Sequence, residues 1–115
     1  MKVINLGESD TILNNFIAQM RDKTVQKEKM RFRTNLQRVG NIFAYEVSKV
    51  LDYSMKDVHT PLGIASVPTT DNKIVVATIL RAGLPLHQGI LDFFDEAESA
   101  FIAAYRKKRI IVRPC

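Results

Sequence analysis

Residues 73–89 constrain the fold of this chain more than any other segment. An apolar run at 73–80 leads into Arg-Ala-Gly-Leu at 81–84 and then into Pro85, where a helical pattern starts. The run is apolar on both faces, which is typical of a buried strand in a parallel sheet. Because a second apolar run follows at 99–105, the order strand, helix, strand predicts a right-handed β–α–β unit.

Helical periodicity comes before this unit. Ser9 and Asp10 predict the cap of a helix at about 10–21, and a longer helix is predicted at about 27–52. Gly40 lies inside the longer helix at a cost of about 1 kcal/mol relative to alanine. Either it allows another backbone to approach closely, or it is simply tolerated. The two helices carry apolar stripes, which are Ile12, Leu13, Phe16, Ile17 and Met20 on the first and Phe32, Leu36, Val39, Phe43, Val47 and Val50 on the second.

Residues 53–72 predict an irregular hairpin arm. Its turn is Thr-Pro-Leu-Gly at 60–63, with proline and glycine at the second and fourth positions of a type I turn. Asp71 and Asn72 then turn the chain into the strand. The helix after the strand is predicted at 85–96, with Leu86, Ile90, Phe93 and Phe94 on its inner side. The predicted fold class is therefore α/β, a parallel sheet with N-terminal helices and a hairpin arm.

Composition narrows the class of protein. The chain of 115 residues suits one domain with a modest core, and no apolar run approaches the roughly 20 residues that span a membrane. The N-terminus is too polar for a signal peptide. Cys115 is the only cysteine, so no internal disulfide can form, and a cytoplasmic location is expected. Two histidines far apart in sequence argue against a metal site.

The net charge of +5 is unevenly distributed. Residues 21–40 hold seven basic side chains, residues 106–115 are basic without an acid, and residues 92–98 hold an acidic cluster. This balance invites a nucleic-acid interpretation. Solvated helix faces combined with a site for a small anion explain it better, so neither nucleic acid nor membrane is expected as a partner.

The turn at 81–84 has the chemistry of an anion site. It lies at the carboxyl edge of the predicted strand, where ligands bind in α/β sheets. Gly83 removes a Cβ and allows positive φ, and Pro85 suits the first helical position, where no N–H is needed. The helix start adds N–H donors, and Arg81 adds a planar fork for phosphate oxygens. Arg106 ends the next strand at the same edge. The pattern indicates phosphate or pyrophosphate; the alternative is an ordinary turn with a solvent-facing arginine.

Other catalytic arrangements are missing from the sequence. It has no Ser–His–Asp set, no carboxylate pair with a clear role and no nucleotide-binding P-loop. His87 lies just inside the predicted helix and is interpreted as a surface or capping residue rather than a catalyst.

Residues 1–106 resemble the uracil phosphoribosyltransferase family. The resemblance depends on Arg-Phe-Arg at 31–33, Gly40 and Tyr-Glu at 45–46, and more firmly on Ile-Leu-Arg-Ala-Gly-Leu at 79–84, Gly89 and Ala-Tyr-Arg at 104–106. It implies transfer of ribose 5-phosphate from phosphoribosyl pyrophosphate to N1 of uracil in pyrimidine salvage. The implied products are UMP and pyrophosphate, and the implied cofactor is Mg²⁺.

The resemblance also implies site residues and partners. Arg81, Ala82, Gly83 and Leu84 would bind the pyrophosphate of phosphoribosyl pyrophosphate, and Arg106 would contact the same group. It assigns no catalytic residue and no metal ligand in this chain. A homo-oligomer is expected, with GTP as an effector in some relatives.

The sequence departs from the family pattern after residue 106. Family members are about twice as long and carry Asp-Pro-Met-Leu-Ala-Thr-Gly-Gly for the ribose phosphate and a glycine-rich segment for uracil; neither occurs here. The expectation is a single truncated domain: helices and arm at 1–72, the β–α–β unit at 73–106 and an atypical basic tail at 107–115. Such a chain is expected to be inactive alone, and marginally stable or self-associated. The alternative is a non-catalytic fragment for RNA binding or dimerisation.

Overall fold

Three α-helices and two two-stranded sheets make up a mixed α/β structure, which confirms the predicted fold class. The computed structural model describes residues 2–103. Two short 3₁₀ turns lie at Leu6–Glu8 and Val25–Lys27. The elements are α1 (Ile12–Arg21), α2 (Lys29–Ser48), β1 (Ser54–Thr60), β2 (Gly63–Thr69), β3 (Val75–Leu80), α3 (Leu84–Leu91) and β4 (Glu98–Ala103).

Helix α1 begins later than predicted because a different residue caps it. The Thr11 hydroxyl accepts a hydrogen bond from the backbone N–H of Leu13 at 3.3 Å. Ser9 contributes its carbonyl instead, which accepts from the Asn14 side chain at 3.3 Å. The predicted Ser9–Asp10 cap is therefore wrong, although the chemistry of a hydroxyl cap is the expected one.

Helix α2 is shorter than predicted and buries only part of the predicted apolar stripe. Its buried positions are Asn35, Val39, Gly40 and Ala44. Asn35 donates a hydrogen bond to Gln19 of α1 at 2.9 Å, and Gly40 lies against the backbone of α3. Of the predicted stripe Val39 is buried, whereas Phe43, Val47 and Val50 are exposed. Small residues are needed where α2 meets α3, because helix backbones can approach closely only where side chains are short.

The contact between α2 and α3 is made by backbone against backbone. A Cβ on Gly40 would lie 2.4 Å from the carbonyl oxygen of Leu86, and a Cβ on Gly89 would lie 2.1 Å from that of Gln37. Real Cβ contacts do not reach such distances. Of the two interpretations of Gly40, close approach is therefore the right one, and Gly89 is its counterpart on α3.

A cluster of amides reinforces this contact at the end of α3. The Asp92 carboxylate accepts hydrogen bonds from Gln37 at 3.0 Å, from Asn41 at 3.1 Å and from Gln88 at 3.1 Å. Asn41 also donates to the Gly89 carbonyl at 2.6 Å. These donors, Gln37 foremost, lower the pKa of Asp92 from its ordinary value.

The parallel sheet has one covered face in the described part of the chain. β3 and β4 pair in parallel, and α3 packs on the side that carries Val76 and Thr78. On the other side Val75 and Ile79 are 61% and 59% exposed. The expectation of a strand buried on both faces is therefore wrong for residues 2–103, since no described element packs on that second face.

Helix α3 and strand β4 differ from their predicted ranges. α3 runs from Leu84 to Leu91 rather than over 85–96, and its buried positions are His87 and Gly89. β4 begins at Glu98. Residues 104 and 105 of the predicted strand lie outside the described residues, as do Arg106 and the tail at 107–115.

The predicted hairpin arm is present at Ser54–Thr69. β1 and β2 pair antiparallel from Ser54–Thr69 to Thr60–Gly63, with Pro61 and Leu62 at the tip. The Thr60 hydroxyl donates to the Gly63 carbonyl at 2.7 Å, and Gly63 has φ of 137°. Both strands contact only each other among the described elements, and the described chain extends over 80 Å in its longest dimension. The arm therefore projects from the helices.

No helix among the described residues is both long enough and apolar enough to cross a membrane.

Gly89→Ala should destabilise the chain. On an unpacked helix the change would stabilise by about 1 kcal/mol. Here the added methyl meets backbone of α2, so we expect a net loss of about 1–3 kcal/mol in the free energy of unfolding, measured by urea denaturation. Gly7→Ala is the control, since its Cβ would meet only the Asn5 side chain at 3.2 Å. Equal effects of the two substitutions would contradict the backbone contact.

The Asp92 cluster predicts a loss of stability in acid. A carboxyl whose pKa is lowered by folding stabilises the folded state above its ordinary pKa, and the contribution disappears as the pH falls through the folded pKa. Between about pH 6 and about pH 3 the wild-type chain should therefore lose more unfolding free energy than Asp92→Asn. Parallel urea titrations of both proteins measure this, and identical pH dependences would refute it.

Candidate functional site

The Arg-Ala-Gly-Leu turn at 81–84 joins the carboxyl end of β3 to the first residue of α3. The Leu80–Arg81 peptide bond is cis. Gly83 is the N-cap residue of α3 and has φ of −78°, so the positive φ that its identity would allow is not used. A Cβ on Gly83 would lie 2.7 Å from Cγ2 of Thr78 and 2.9 Å from the Ile79 carbonyl oxygen. The glycine is required because the turn packs tightly on β3.

The turn uses part of its own hydrogen-bonding capacity. The Gly83 N–H donates to the Ile79 carbonyl at 3.3 Å and the Leu84 N–H to the Arg81 carbonyl at 3.1 Å. Among residues 2–103 the Ala82 N–H has no acceptor. Pro85, which has no N–H, is the second residue of α3, one position later than predicted. The donors open to an anion are therefore fewer than a bare helix start would offer.

Arg81 supplies the positive charge of this site. Its side chain is exposed and makes no ion pair within the described residues. The unused N–H of Ala82, the positive end of the α3 dipole and the Arg81 guanidinium come from three consecutive parts of one turn. A group of this kind can bind phosphate oxygens. Arg106, the other cation predicted for this site, lies outside the described residues.

The candidate anion site lies on the surface of the described part rather than in a cleft. A groove of about 530 Å³ opens beside the first turn of α3, lined among others by Leu84, Pro85 and Phe101. Arg81, Ala82 and Gly83 do not line it. Nor do residues 2–103 contain a group of three or more histidine, cysteine, aspartate or glutamate side chains that could hold a metal ion.

His87 is the residue that sequence reasoning placed wrongly. It is buried, with 5% of its surface exposed, and is not a surface or capping residue. Its Nδ1 is hydrogen-bonded to the Thr78 hydroxyl and its Nε2 to the Ser99 hydroxyl at 2.9 Å. The Phe101 ring lies 5.1 Å away, between centroids. The available signal was a pair of hydroxyl residues on the strands that flank the helix.

This chain is similar to known proteins over most of its length. The family model described as uracil phosphoribosyltransferase matches residues 8–111. Uracil phosphoribosyltransferase of Porphyromonas gingivalis is 50% identical over 107 residues, which cover 93% of this chain and 50% of that protein. The Sulfolobus acidocaldarius enzyme of the same name is 37% identical over 105 residues, covering 88% and 47%.

A solved structure has a fold similar to that of this chain. The AQ2163 protein from Aquifex aeolicus superposes with a TM-score of 0.68 at 26% identity, covering 81% of this chain and 44% of that one. This chain spans about half the length of the curated relatives that it matches. Because the family model matches well over half of the sequence, the chain belongs to the uracil phosphoribosyltransferase family.

Proposed function

We propose that this chain supplies the pyrophosphate-binding part of a uracil phosphoribosyltransferase site. The reaction transfers ribose 5-phosphate from phosphoribosyl pyrophosphate to uracil, a step of pyrimidine salvage in the cytoplasm. The observation that carries the proposal is the turn at 81–84, where Arg81 and the Ala82 N–H have no partner among residues 2–103 at the junction of β3 and α3. Arg106 is proposed as a second cation for the same pyrophosphate.

In this reaction these residues would stabilise the negative charge that develops on the leaving pyrophosphate. N1 of uracil loses its proton to solvent and forms a bond to C1 of the ribose, while the bond from C1 to the pyrophosphate oxygen breaks and that oxygen keeps the electron pair. A guanidinium fork and a backbone donor fixed beside this oxygen stabilise the charge as it develops. Because Gly83 packs tightly on β3, the donors are held in place before the substrate arrives.

Mg²⁺ is proposed as a companion of phosphoribosyl pyrophosphate rather than as a resident ion. Residues 2–103 offer no carboxylate or histidine cluster for it. Mg²⁺ often binds through substrate phosphates while keeping several waters. We assign no described residue as its ligand and no step of the reaction to it.

Other parts of the activity are proposed without described residues. Contacts to uracil and to the ribose phosphate are not assigned within residues 2–103. GTP as an effector remains a proposal of the same kind. We propose that the contacts to uracil and to the ribose phosphate belong to the part of the relatives that this chain does not match, which is about half of their length.

The RNA-binding alternative is weaker than the enzyme proposal. Two arginines of the basic segment already have intramolecular partners: Arg31 pairs with Glu28 at 2.7 Å and the Arg38 guanidinium lies 5.2 Å from the Phe16 ring centroid. These contacts fit a helix surface that stabilises itself. They favour the small-anion site over a nucleic-acid interface.

Arg81→Ala should weaken binding of pyrophosphate to the 115-residue chain by about tenfold or more, because a charge-assisted hydrogen bond is lost. Arg81→Lys keeps the charge but lacks the planar fork, so its pyrophosphate affinity should lie between those of the wild-type chain and Arg81→Ala. Isothermal titration calorimetry at low ionic strength measures these affinities. In any preparation that forms UMP, turnover should also fall by about a hundredfold.

Arg21→Ala is the matched control, since Arg21 is exposed in the last turn of α1, outside the candidate site. It should leave pyrophosphate affinity unchanged. The proposed function fails if the wild-type chain shows no saturable binding, or if Arg81→Ala binds as tightly as the control.

The exposed face of the parallel sheet predicts self-association. Val75, Ile79 and Ile102 expose apolar surface on two strands that pair with no other strand among residues 2–103, and unpaired strand edges pair readily with another chain. We expect light scattering after size exclusion to show species larger than a monomer. Ile79→Lys should shift them towards monomer, whereas Val3→Lys, an exposed change outside the sheet, should not. A monomer at all concentrations would refute this expectation.

A further inference from the structure

His87 connects three elements through one buried ring. It projects from the first turns of α3, and its two ring nitrogens reach Thr78 on β3 and Ser99 on β4. Ser99 is the register partner of Val76, two residues before Thr78, so both hydroxyls lie on the sheet face that α3 covers. No buried side-chain nitrogen or oxygen in the described residues lacks a partner. The helix start is therefore tied to both strands.

The same residues hold the turn at 81–84. The backbone N–H of His87 donates to the Gly83 carbonyl at 2.9 Å. The Thr78 methyl is the group that a Cβ on Gly83 would meet, at 2.7 Å. The Thr78 methyl thus contacts the turn, and the Thr78 hydroxyl is hydrogen-bonded to His87. The position of the turn on β3 is set from both sides by one strand residue and one helix residue.

We propose that His87, together with Thr78 and Ser99, is the positioning residue that fixes the turn at 81–84 for anion binding. The imidazole touches no substrate; it holds the residues that do. This inference rests on the proposed function for its ligand, pyrophosphate, but its structural part concerns the turn alone. A hydroxyl can both donate and accept a hydrogen bond, so Thr78 and Ser99 can satisfy the two ring nitrogens of His87.

Two substitutions at one position separate hydrogen bonding from packing. Thr78→Val keeps a methyl against Gly83 and removes the hydroxyl, whereas Thr78→Ser keeps the hydroxyl and removes the methyl. His87→Phe removes both ring hydrogen bonds while filling similar space. Leaving a buried polar group without its partner costs enough to change an equilibrium by about tenfold or more. We therefore expect large effects from Thr78→Val and His87→Phe, and recovery in Thr78→Ser.

The measurement is amide hydrogen exchange by NMR at Gly83 and Leu84, whose N–H groups bond within the turn. Val39→Ala, a change at a buried residue of α2, is the control for general loss of stability. At matched global stability, Thr78→Val and His87→Phe should lower protection at these two amides about tenfold more than Val39→Ala does. The inference is overturned if protection follows global stability equally in all variants.

Pyrophosphate titration of the same proteins separates this inference from the proposed function. Weaker binding in Thr78→Val but not in Val39→Ala supports both. If the wild-type chain binds no pyrophosphate while protection still responds to Thr78→Val, the proposed function fails and the fixing of the turn stands. Unchanged pyrophosphate affinity in Thr78→Val and His87→Phe would overturn the role of His87 in anion binding.

Discussion

The described structure depends on the contact between Gly40 and Gly89. These two glycines let the backbones of α2 and α3 meet, and each would place a Cβ within 2.4 Å of a carbonyl oxygen of the other helix. α3 then packs on α2 through Gly89 and on β3, and its His87 reaches Thr78 on β3 and Ser99 on β4. Larger residues at either glycine would push α3 away from α2. The junction of β3 and α3, where the candidate site lies, would move with it.

A chain of tight packing leads from that contact to the candidate site. α3 presses His87 against Thr78 and Ser99, and Thr78 in turn leaves no space for a side chain at residue 83. The turn is therefore determined by atoms behind it rather than by its own conformational preferences. The Arg81 side chain is exposed at this fixed turn.

The elements of the fold were largely predictable, because each has a local signal: a turn with proline and glycine at 60–63, an apolar run at 73–80 and helical spacing before them. The burial of those elements was not. The predicted stripe is buried at Val39 but exposed at Phe43 and Val47, and the small residues Gly40 and Ala44 are buried instead. Periodicity predicts that a helix has an apolar side. Which of its residues are buried depends on the elements that pack against it.

The candidate site divides in the same way. Arg81 and Gly83 could be predicted to lie in a turn between a strand and a helix because the three elements follow each other in sequence. His87 was misplaced because its partners are 9 and 12 residues away and its burial requires β4 to pair with β3. Gly83 was chosen for the right position but for a conformation that it does not adopt. Sequence adjacency predicts a turn; the reason for a particular residue within it comes from the third dimension.

The hairpin arm has a consequence for how the molecule holds together. Its strands share no contact with the helices or with the parallel sheet among the described residues. A two-stranded ribbon in water is at best marginally stable. The arm can therefore open and close as its own cooperative unit while the layers of helix and sheet stay intact. The stability of the arm is therefore largely independent of the stability of the helices and the parallel sheet. Substitutions in one region should have little effect on the stability of the other.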